Sequence, residues 1–455
     1  MKRTKVKIHV PGASSSLDES VIMLSAGLAK KWRIPLNQTV QLRFGSARQE
    51  VRTLPTSQPG TIRISQSLAS RLGLVHGRQL CCQYKSGSRT IVLGPLIGVL
   101  VSRVYAGSAD KPFGASTAFC REMSDACGVY GASVFFCTPN EVQGHGDTVP
   151  GWHYAGGRWT KGTFPIPDVL YNRLTSRKYE NLKNVQQFIS HAKSSHNTQM
   201  FNEKYLNKNE VFDALRKEAH LNAYLPESHL LHNYQQLKAM CGKYQTVFLK
   251  PITGSLGKGI IRIRKQPGGS FVCHLTQLNG IRKQSFASLS RLFSVISGKV
   301  KAQRYQIQQG LELITVGGRP VDFRALVQRG ETGQWAITSI VARIASNRHF
   351  VSNLARGGTL STVKEALARS ETKVSGGLTK LRKASLQIAK GIEAQVPGHF
   401  AELGVDLAID TNGRVWLLEV NSKPSKDDNS PLSPDRKIRP SVKTIVQYAR
   451  YLSKF

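Results

Sequence analysis

Apolar and polar positions follow different rhythms in different parts of the chain. In the first 95 residues the alternation is short and strand-like. Thr39-Val-Gln-Leu-Arg-Phe alternates as a half-buried strand does, and so do Glu50 to Thr53 and Thr61 to Ile64. Ser65 to Leu72 reads as a short helix, with Ser65 as N-cap, Leu68, Ala69 and Leu72 as its apolar face, and Gly73 as its stop. Gly87 turns one strand into the next, Arg89 to Leu93, and Gly94-Pro95 punctuates the end. Residues 1–95 are expected to form a small, β-rich, barrel-like accessory domain without a catalytic constellation.

Residues 96–200 change rhythm. Ile97 to Val104 predicts a buried strand, Phe113 to Gly128 a helix, and Ala132 to Cys137 a second strand. That βαβ order implies a small parallel α/β domain. A hairpin follows, Trp152-His-Tyr and Arg158-Trp-Thr across Gly156-Gly157. Pro167 to Arg173 is then a strand running into polar residues. Open α/β sheets bind ligands beyond the C-terminal ends of parallel strands. Asn172, Arg173 and Arg177 are therefore substrate candidates; the alternative is that they cap and solvate a loop.

From about 201 to 455, long helices alternate with strong strands. Helices are expected at Asn209 to Leu221, Leu378 to Val396 and Ser441 to Leu452. Strands are expected at Thr246 to Lys250, Tyr305 to Gln309, Val321 to Gln328, Gln334 to Ala342 and Val405 to Asp410. Val415 to Val420 pairs with the last of these across Thr411-Asn412-Gly413, a strong hairpin signal. The polar, Pro-rich tail Lys423 to Pro440 is expected to lie over the site.

Composition narrows the class. With 455 residues and 40% hydrophobic content, the chain can bury several cores. Its longest apolar stretches are broken by Gly and Pro and are too short to span a bilayer. The start, MKRTKVKIHVPG, lacks the apolar core of a secretion signal, so a cytoplasmic location is expected. Seven cysteines without a CxxC read as reduced, buried thiols, and no Cys/His cluster has zinc-ligand spacing. The net charge of +36 fits either a polyanionic partner or a generally cationic solvated surface. The basic residues are spread along the chain without a basic arm or aromatic interleaving, so a nucleic-acid partner is not expected.

Chemistry concentrates near the C-terminus. The segment Gly404-Val-Asp406 to Leu418-Glu419-Val-Asn421 predicts two antiparallel strands that bring Asp406, Glu419 and Asn421 together. Three hard oxygen ligands on such a hairpin suit Mg²⁺. Val247-Phe-Leu-Lys250-Pro251-Ile-Thr-Gly254-Ser-Leu-Gly257-Lys258-Gly259 ends an apolar strand in a lysine and continues into a Gly-rich turn. The glycines let backbone N–H groups fold over phosphates. No Walker A loop is present, because Lys258 precedes Gly rather than Ser or Thr. Gln308-Gln309-Gly310-Leu311, Asp322-Phe-Arg324, Arg343 and Ser352-Asn353 to Arg356-Gly357-Gly358 complete the set.

In this order the motifs resemble the ATP-grasp superfamily, and more closely its endospore coat-associated, YheC/YheD-type branch. YNR-x-x-SR near 171, YLPES near 224 and LLEVNSKP at 417–424 carry that similarity. The resemblance implies an α/β (α+β ATP-grasp) fold at 201–455, preceded by the small α/β and β-rich domains. It also implies MgATP-dependent activation of a carboxylate as an acyl phosphate for attack by an amine. Lys250 and Lys208 would contact phosphates, with Lys204 a rival for the latter place. Ser255, Gly257 and Gly259 would belong to a phosphate lid, and Gln308, Gln309 and Leu311 to the adenine-binding hinge. Many relatives carry a carboxylate where this chain has Gln308. Asp406, Glu419 and Asn421 would hold one or two Mg²⁺ ions, with Mn²⁺ as a substitute. Arg324 and Arg343 would stabilise the intermediate, while Asn353, Gly357 and Gly358 would border the substrate. A small-molecule or acidic peptide or polymer substrate and an association with the spore coat are the expected partners. The competing readings are a coat-associated protein that binds ATP without turnover and a polyanion binder.

Overall fold

The computed structural model describes residues 4–12, 17–105, 107–252, 259–277, 280–346, 358–426 and 438–455. The alternating N-terminal segment closes into a seven-stranded barrel. Its strands are β1 (Thr4–His9), β2 (Val21–Ser25), β3 (Thr39–Phe44), β4 (Ala47–Thr56), β5 (Thr61–Ile64), β6 (Gln79–Lys85) and β7 (Thr90–Gly94), in the order β1-β5-β2-β4-β3-β7-β6. Helices α1 (Ala26–Trp32) and α2 (Gln66–Leu72) connect them. Ser65 caps α2 by accepting the Leu68 N–H at 3.2 Å. Gly73 ends it in the left-handed region, at φ 67°. A Cβ there would stand 2.7 Å from a Phe164 ring carbon, because α2 lies against the next unit.

That unit contains β8 (Leu96–Leu100), β9 (Ser133–Cys137), β10 (Thr148–Ala155), β11 (Arg158–Pro165), β12 (Val169–Asn172) and β13 (Gln199–Phe201), with α3 (Thr117–Tyr130), α4 (Arg177–Glu180) and α5 (Lys183–His196). Strands β9-β8-β12-β13 are parallel, and the hairpin β10–β11 extends the sheet antiparallel. The first strand ends at Leu100 rather than Val104, because its neighbours stop at Cys137 and Asn172 and the last ladder bond is Val101 N–H to the Cys137 carbonyl at 2.9 Å. All seven cysteines are buried and free; burial pushes the Cys82 and Cys127 thiols up to about 12.

The remaining chain forms two antiparallel sheets. One comprises β14 (Ser228–Leu230), β15 (Thr246–Pro251), β16 (Ile261–Lys265), β17 (Phe271–Gln277), β18 (Gly280–Phe286) and β19 (Tyr305–Gln309). It follows α6 (Lys208–Arg216) and is backed by α7 (Tyr234–Lys243) and α8 (Leu289–Ala302), whose Leu237, Leu292 and Ile296 pack on Val247, Leu249 and Ile307. The other comprises β20 (Thr315–Val316), β21 (Arg319–Arg329), β22 (Trp335–Ile344), β23 (Thr359–Thr362), β24 (Glu402–Ile409) and β25 (Val415–Asn421). Its main order is β23-β22-β21-β24-β25, with β20 beside β21. α6, α9 (Val363–Ala368) and α10 (Gly377–Gln395) cover one face. The helix expected through Leu221 stops at Arg216 and continues as a 3₁₀ turn, Ala219–Tyr224. This seats Leu221 against Gly391 of α10, where a Cβ would be 2.4 Å from its Cδ1.

The final helix, α11 (Pro440–Leu452), belongs to a different layer from the one its position in the chain implies. Its Val442, Ile445 and Ala449 share a core with α3 and with Ile97 and Val99 of β8. No helix among the described residues is long and apolar enough to cross a membrane.

Glu402 joins the units. It is fully buried on β24 and accepts hydrogen bonds from the Tyr171 hydroxyl at 2.9 Å, Gln328 Nε2 at 2.6 Å and Lys426 Nζ. Removing one partner of a buried ion pair strands the other charge, which costs about 3–5 kcal/mol. Glu402→Ala is therefore expected to lower unfolding stability by about that amount in equilibrium denaturation. A loss below about 1 kcal/mol would mean that Lys426 finds other compensation.

Candidate functional site

Strand alternation sets the face that carries the chemistry. On β24, Leu403, Val405, Leu407 and Ile409 point into the core, so Glu402, Asp406 and Asp410 lie on the opposite face. On β21, Val321, Phe323, Ala325 and Val327 are core, leaving Asp322, Arg324 and Gln328 on the other side. Strand register then matches charge with charge. Arg324 pairs with Asp406, Arg343 with Asp322, and Gln328 with Glu402. Strand β25 contains an irregularity that decides the site. Asp406 opposes Glu419 while Leu407 opposes Leu417, so Leu418 is an extra, bulged residue. Val415 and Leu417 face the core before it, and Val420 after it. The bulge thus swings Glu419 and Asn421 out of the core phase and beside Asp406.

The result is a row of alternating charges across four strands. Arg324 Nε and Nη2 grip Asp406 bidentately. Arg343 reaches Asp406 at 3.0 Å and donates to Asp322 at 2.5 Å. Burial disfavours the ionised Asp406, but the two guanidiniums outweigh it and hold the carboxyl below its usual range. Gly404 makes room for the chain after β25, since a Cβ there would sit 2.9 Å from the Pro424 Cβ.

Two lysines complete the cluster. Lys208, the first residue of α6, places Nζ 3.2 Å from Glu419; the alternative, Lys204, pairs with Glu210 at 2.6 Å instead. Lys250 lies at the end of β15, where the burial alternation puts Val247 and Leu249 in the core and Thr246, Phe248 and Lys250 on the opposite side. Burial lowers the Lys250 ammonium to about 8; Lys208 adds to that, while Glu419 and Asp406 oppose it. Its Nζ donates to Gln308 Oε1. Gln308 Nε2 and Gln306 Oε1 are buried without a hydrogen-bond partner among the described residues. Buried polar atoms left open in this way mark a place for a polar ligand.

A cavity of about 560 Å³ opens at Thr246 and Phe248, on the face of β15 that also carries Lys250. Phe248 and Arg262 line one wall, Trp416 the other, and Gln309, Gly310 and Leu311 its edge. Gly310 is required there: a Cβ would sit 2.6 Å from the Thr246 carbonyl oxygen. Arg414 stacks over Trp416 at 3.6 Å, and Trp416 donates to Asp410 at 2.8 Å, which fixes that wall. The volume suits a nucleotide-sized ligand. The sequence motifs do not single out Phe248, Arg262, Arg414 or Trp416 as site residues. Phe248 was findable, because it sits two residues before Lys250 on the same strand face.

Other candidates are placed differently. Asn172 is buried and its amide is committed to Glu180 at 3.0 Å and the Glu203 carbonyl at 3.1 Å. Arg173 donates to the Pro424 carbonyl at 3.1 Å and lies 3.6 Å from Glu402. Arg177 donates to the Leu206 carbonyl at 2.6 Å. All three tie the middle unit to the chain segments beside the cleft. The same is true of Lys423, paired with Glu180. Gly259 is in the left-handed region at φ 71°, with its carbonyl accepting from Tyr305 at 3.2 Å. Gly358 directly precedes β23. Ser255, Gly257, Asn353 and Gly357 lie outside the described residues.

Against known proteins, residues 197–452 match the family described as "YheC/D like ATP-grasp". Endospore coat-associated protein YheD of Bacillus subtilis (strain 168) is 27% identical over 394 residues, covering 87% of this chain and 86% of that protein. Endospore coat-associated protein YheC of the same organism is 23% identical over 289 residues, 63% of this chain and 78% of its own. A solved D-alanine–D-alanine ligase from Bacillus anthracis aligns with a TM-score of 0.47 at 13% identity, covering 79% of this chain and 99% of that one. The family match spans the two facing sheets, the lysines and the acidic hairpin, more than half of the chain. This chain belongs to the YheC/D-like ATP-grasp family.

Proposed function

We propose that the protein is an ATP-dependent carboxylate–amine ligase. The observation that carries this reading is the charged cluster of Lys250, Lys208, Asp406 and Glu419, together with a nucleotide-sized cavity lined by Thr246 and Phe248 of the strand that carries Lys250. Transfer of a terminal phosphoryl group to a carboxylate forms an acyl phosphate and releases ADP. Attack by an amine then forms the amide and releases phosphate. Such chemistry needs neutralised charge and fixed positions more than acid–base groups. Lys250 and Lys208 supply cations against the phosphates. Phe248, Trp416 and the Gln309–Leu311 edge would hold the base. Arg324 and Arg343 would steady the negative charge of the acyl phosphate by exchanging their aspartate partners for its oxygens.

The donor set fits Mg²⁺. Glu419 is partly exposed, Asn421 shares its face, and Asp406 Oδ2 keeps a lone pair beyond its single arginine bond, while Oδ1 takes both guanidiniums. These three residues would hold one or two ions, with Mn²⁺ able to substitute, and the metal would supply charge neutralisation between phosphates. The substrate proposed is an acidic small molecule, peptide or polymer, a choice supported by the +36 charge. A spore-associated setting is proposed from the names of the relatives.

The direct test is release of ADP and phosphate from MgATP in the presence of pooled carboxylic acids and amines. Lys250→Ala should lower that turnover by about 100-fold or more, in line with the loss of one preorganised electrostatic contact. Equal turnover in wild type and variant would sink the assignment.

The position of the Lys250 ammonium, near 8, gives a pH signature. It is charged below that value and neutral above it. Phosphate binding favours the charged form, so ATP should bind with proton uptake around pH 8–9 and lose affinity as pH rises through that window. Calorimetry in two buffers of different ionisation heat measures the uptake; zero uptake in wild type would contradict it.

Glu419→Ala should abolish the Mg²⁺-dependent part of ATP's thermal protection. The melting temperature without ligand should hardly change, since Glu419 is partly exposed. Protection equal to that of wild type would remove Glu419 from the metal set.

A further inference from the structure

We propose that Asp147, His191 and His196 form a binding site for a divalent transition ion, with Zn²⁺ as its probe, on the middle unit. The sequence gives no hint of it, because the two histidines are five apart and the carboxylate lies more than forty residues earlier. The fold brings them together in a definite way. The segment 139–147 lies along α5, where Asn184 Nδ2 donates to the Pro139 carbonyl at 2.5 Å and to the Val142 carbonyl at 3.2 Å. Gly144 sits so close to α5 that a Cβ would be 2.9 Å from Gln187 Oε1. Asp147 is thereby delivered to the last two turns of α5, which carry His191 and His196. Asn197, left-handed at φ 55°, ends the helix directly after His196.

The donor geometry matches a small four-coordinate ion. The Nε2 atoms of His191 and His196 are 3.3 Å apart, and Asp147 Oδ1 is 3.6 Å from His196 Nε2. All three donor atoms lie within 4.8 Å of one another. Zinc bonds of about 2.0–2.1 Å in a tetrahedron set neighbouring donors about 3.3–3.4 Å apart. His191 Nδ1 lies 3.2 Å from Ser195 Oγ, and as the donor in that bond it leaves a lone pair on Nε2. His145 packs edge-on against His191 with ring centroids 5.7 Å apart, shielding one flank. Asp147 is largely exposed, so the fourth position is open to water. The nearby Lys193 is paired with Glu203 at 2.6 Å, which offsets its charge against a cation. Two imidazoles and one carboxylate suit Zn²⁺, Ni²⁺ or Cu²⁺ rather than Mg²⁺, which takes oxygen ligands. A bound ion would pin the 139–147 segment to α5.

The experiment is Zn²⁺ titration of the full-length protein, with Mg²⁺ saturating so that the acidic hairpin is occupied. One ion per chain is expected. His191→Ala and His196→Ala should each weaken binding more than 10-fold, and Ser195→Ala about 10-fold as an outer-shell change. His145→Ala should retain the site. Co²⁺ substitution should give the strong visible absorption of four-coordinate cobalt, lost in the double histidine variant. These side chains are partly or fully exposed, so the variants should melt like wild type without metal. Failure to bind at a tenfold excess of Zn²⁺ would leave the pair as a simple imidazole hydrogen bond and overturn the proposal. So would equal affinity in the double variant.

Discussion

A carboxylate can be buried only if cations are brought to it, and this requirement shapes the C-terminal half of the molecule. Strand β24 carries two buried carboxylates on one face, Glu402 and Asp406. Each is met by groups from other elements. Glu402 collects Lys426, Tyr171 and Gln328, and so ties the middle unit and the chain after β25 to the sheet. Asp406 collects Arg324 and Arg343, and so ties β21 and β22 to β24. The register of three strands follows from the need to place these pairs opposite one another.

The same charge cluster is balanced for an anionic guest. Arg324 and Arg343 are satisfied by Asp322 and Asp406, whereas Lys250 and Lys208 share mainly Glu419. Two lysines lean on one partly exposed carboxylate at this end of β15. Phosphate entering there would relieve repulsion between the lysines. It would also restore a full charge to Lys250, which burial weakens.

The rigid connections around the cleft are equally electrostatic. Lys423 and Lys426 follow β25 and are both buried against glutamates, Glu180 on the middle unit and Glu402 on β24. Burial lowers both ammonium groups to about 8, and the glutamates oppose that shift. The α11 helix packs on α3 rather than on the cleft sheets, so the chain returns to the middle unit after building the site.

Much of this was determined by the sequence alone. Alternation located the barrel strands, the lysine-ended strand and the acidic hairpin, because a half-buried strand must repeat every two residues. The capped helix at Ser65 and the turn at Asn412-Gly413 were legible because their backbone needs particular residues. The motifs around Lys208, Lys250, Asp406, Glu419 and Asn421, with YLPES and LLEVNSKP, carried the family resemblance, because a run of specific residues at specific spacing is legible without the fold. Other features depended on distant contacts. The Leu418 bulge turns Glu419 toward Asp406, and only pairing with β24 reveals it. Asn172, Arg173 and Arg177 are drawn into buried bonds by partners up to 251 residues away. The helix stopped at Arg216 because Leu221 had to meet Gly391. Local pattern specifies which face a side chain takes; what waits on that face is set by the packing of segments far apart in the chain, and only the tertiary structure decides it.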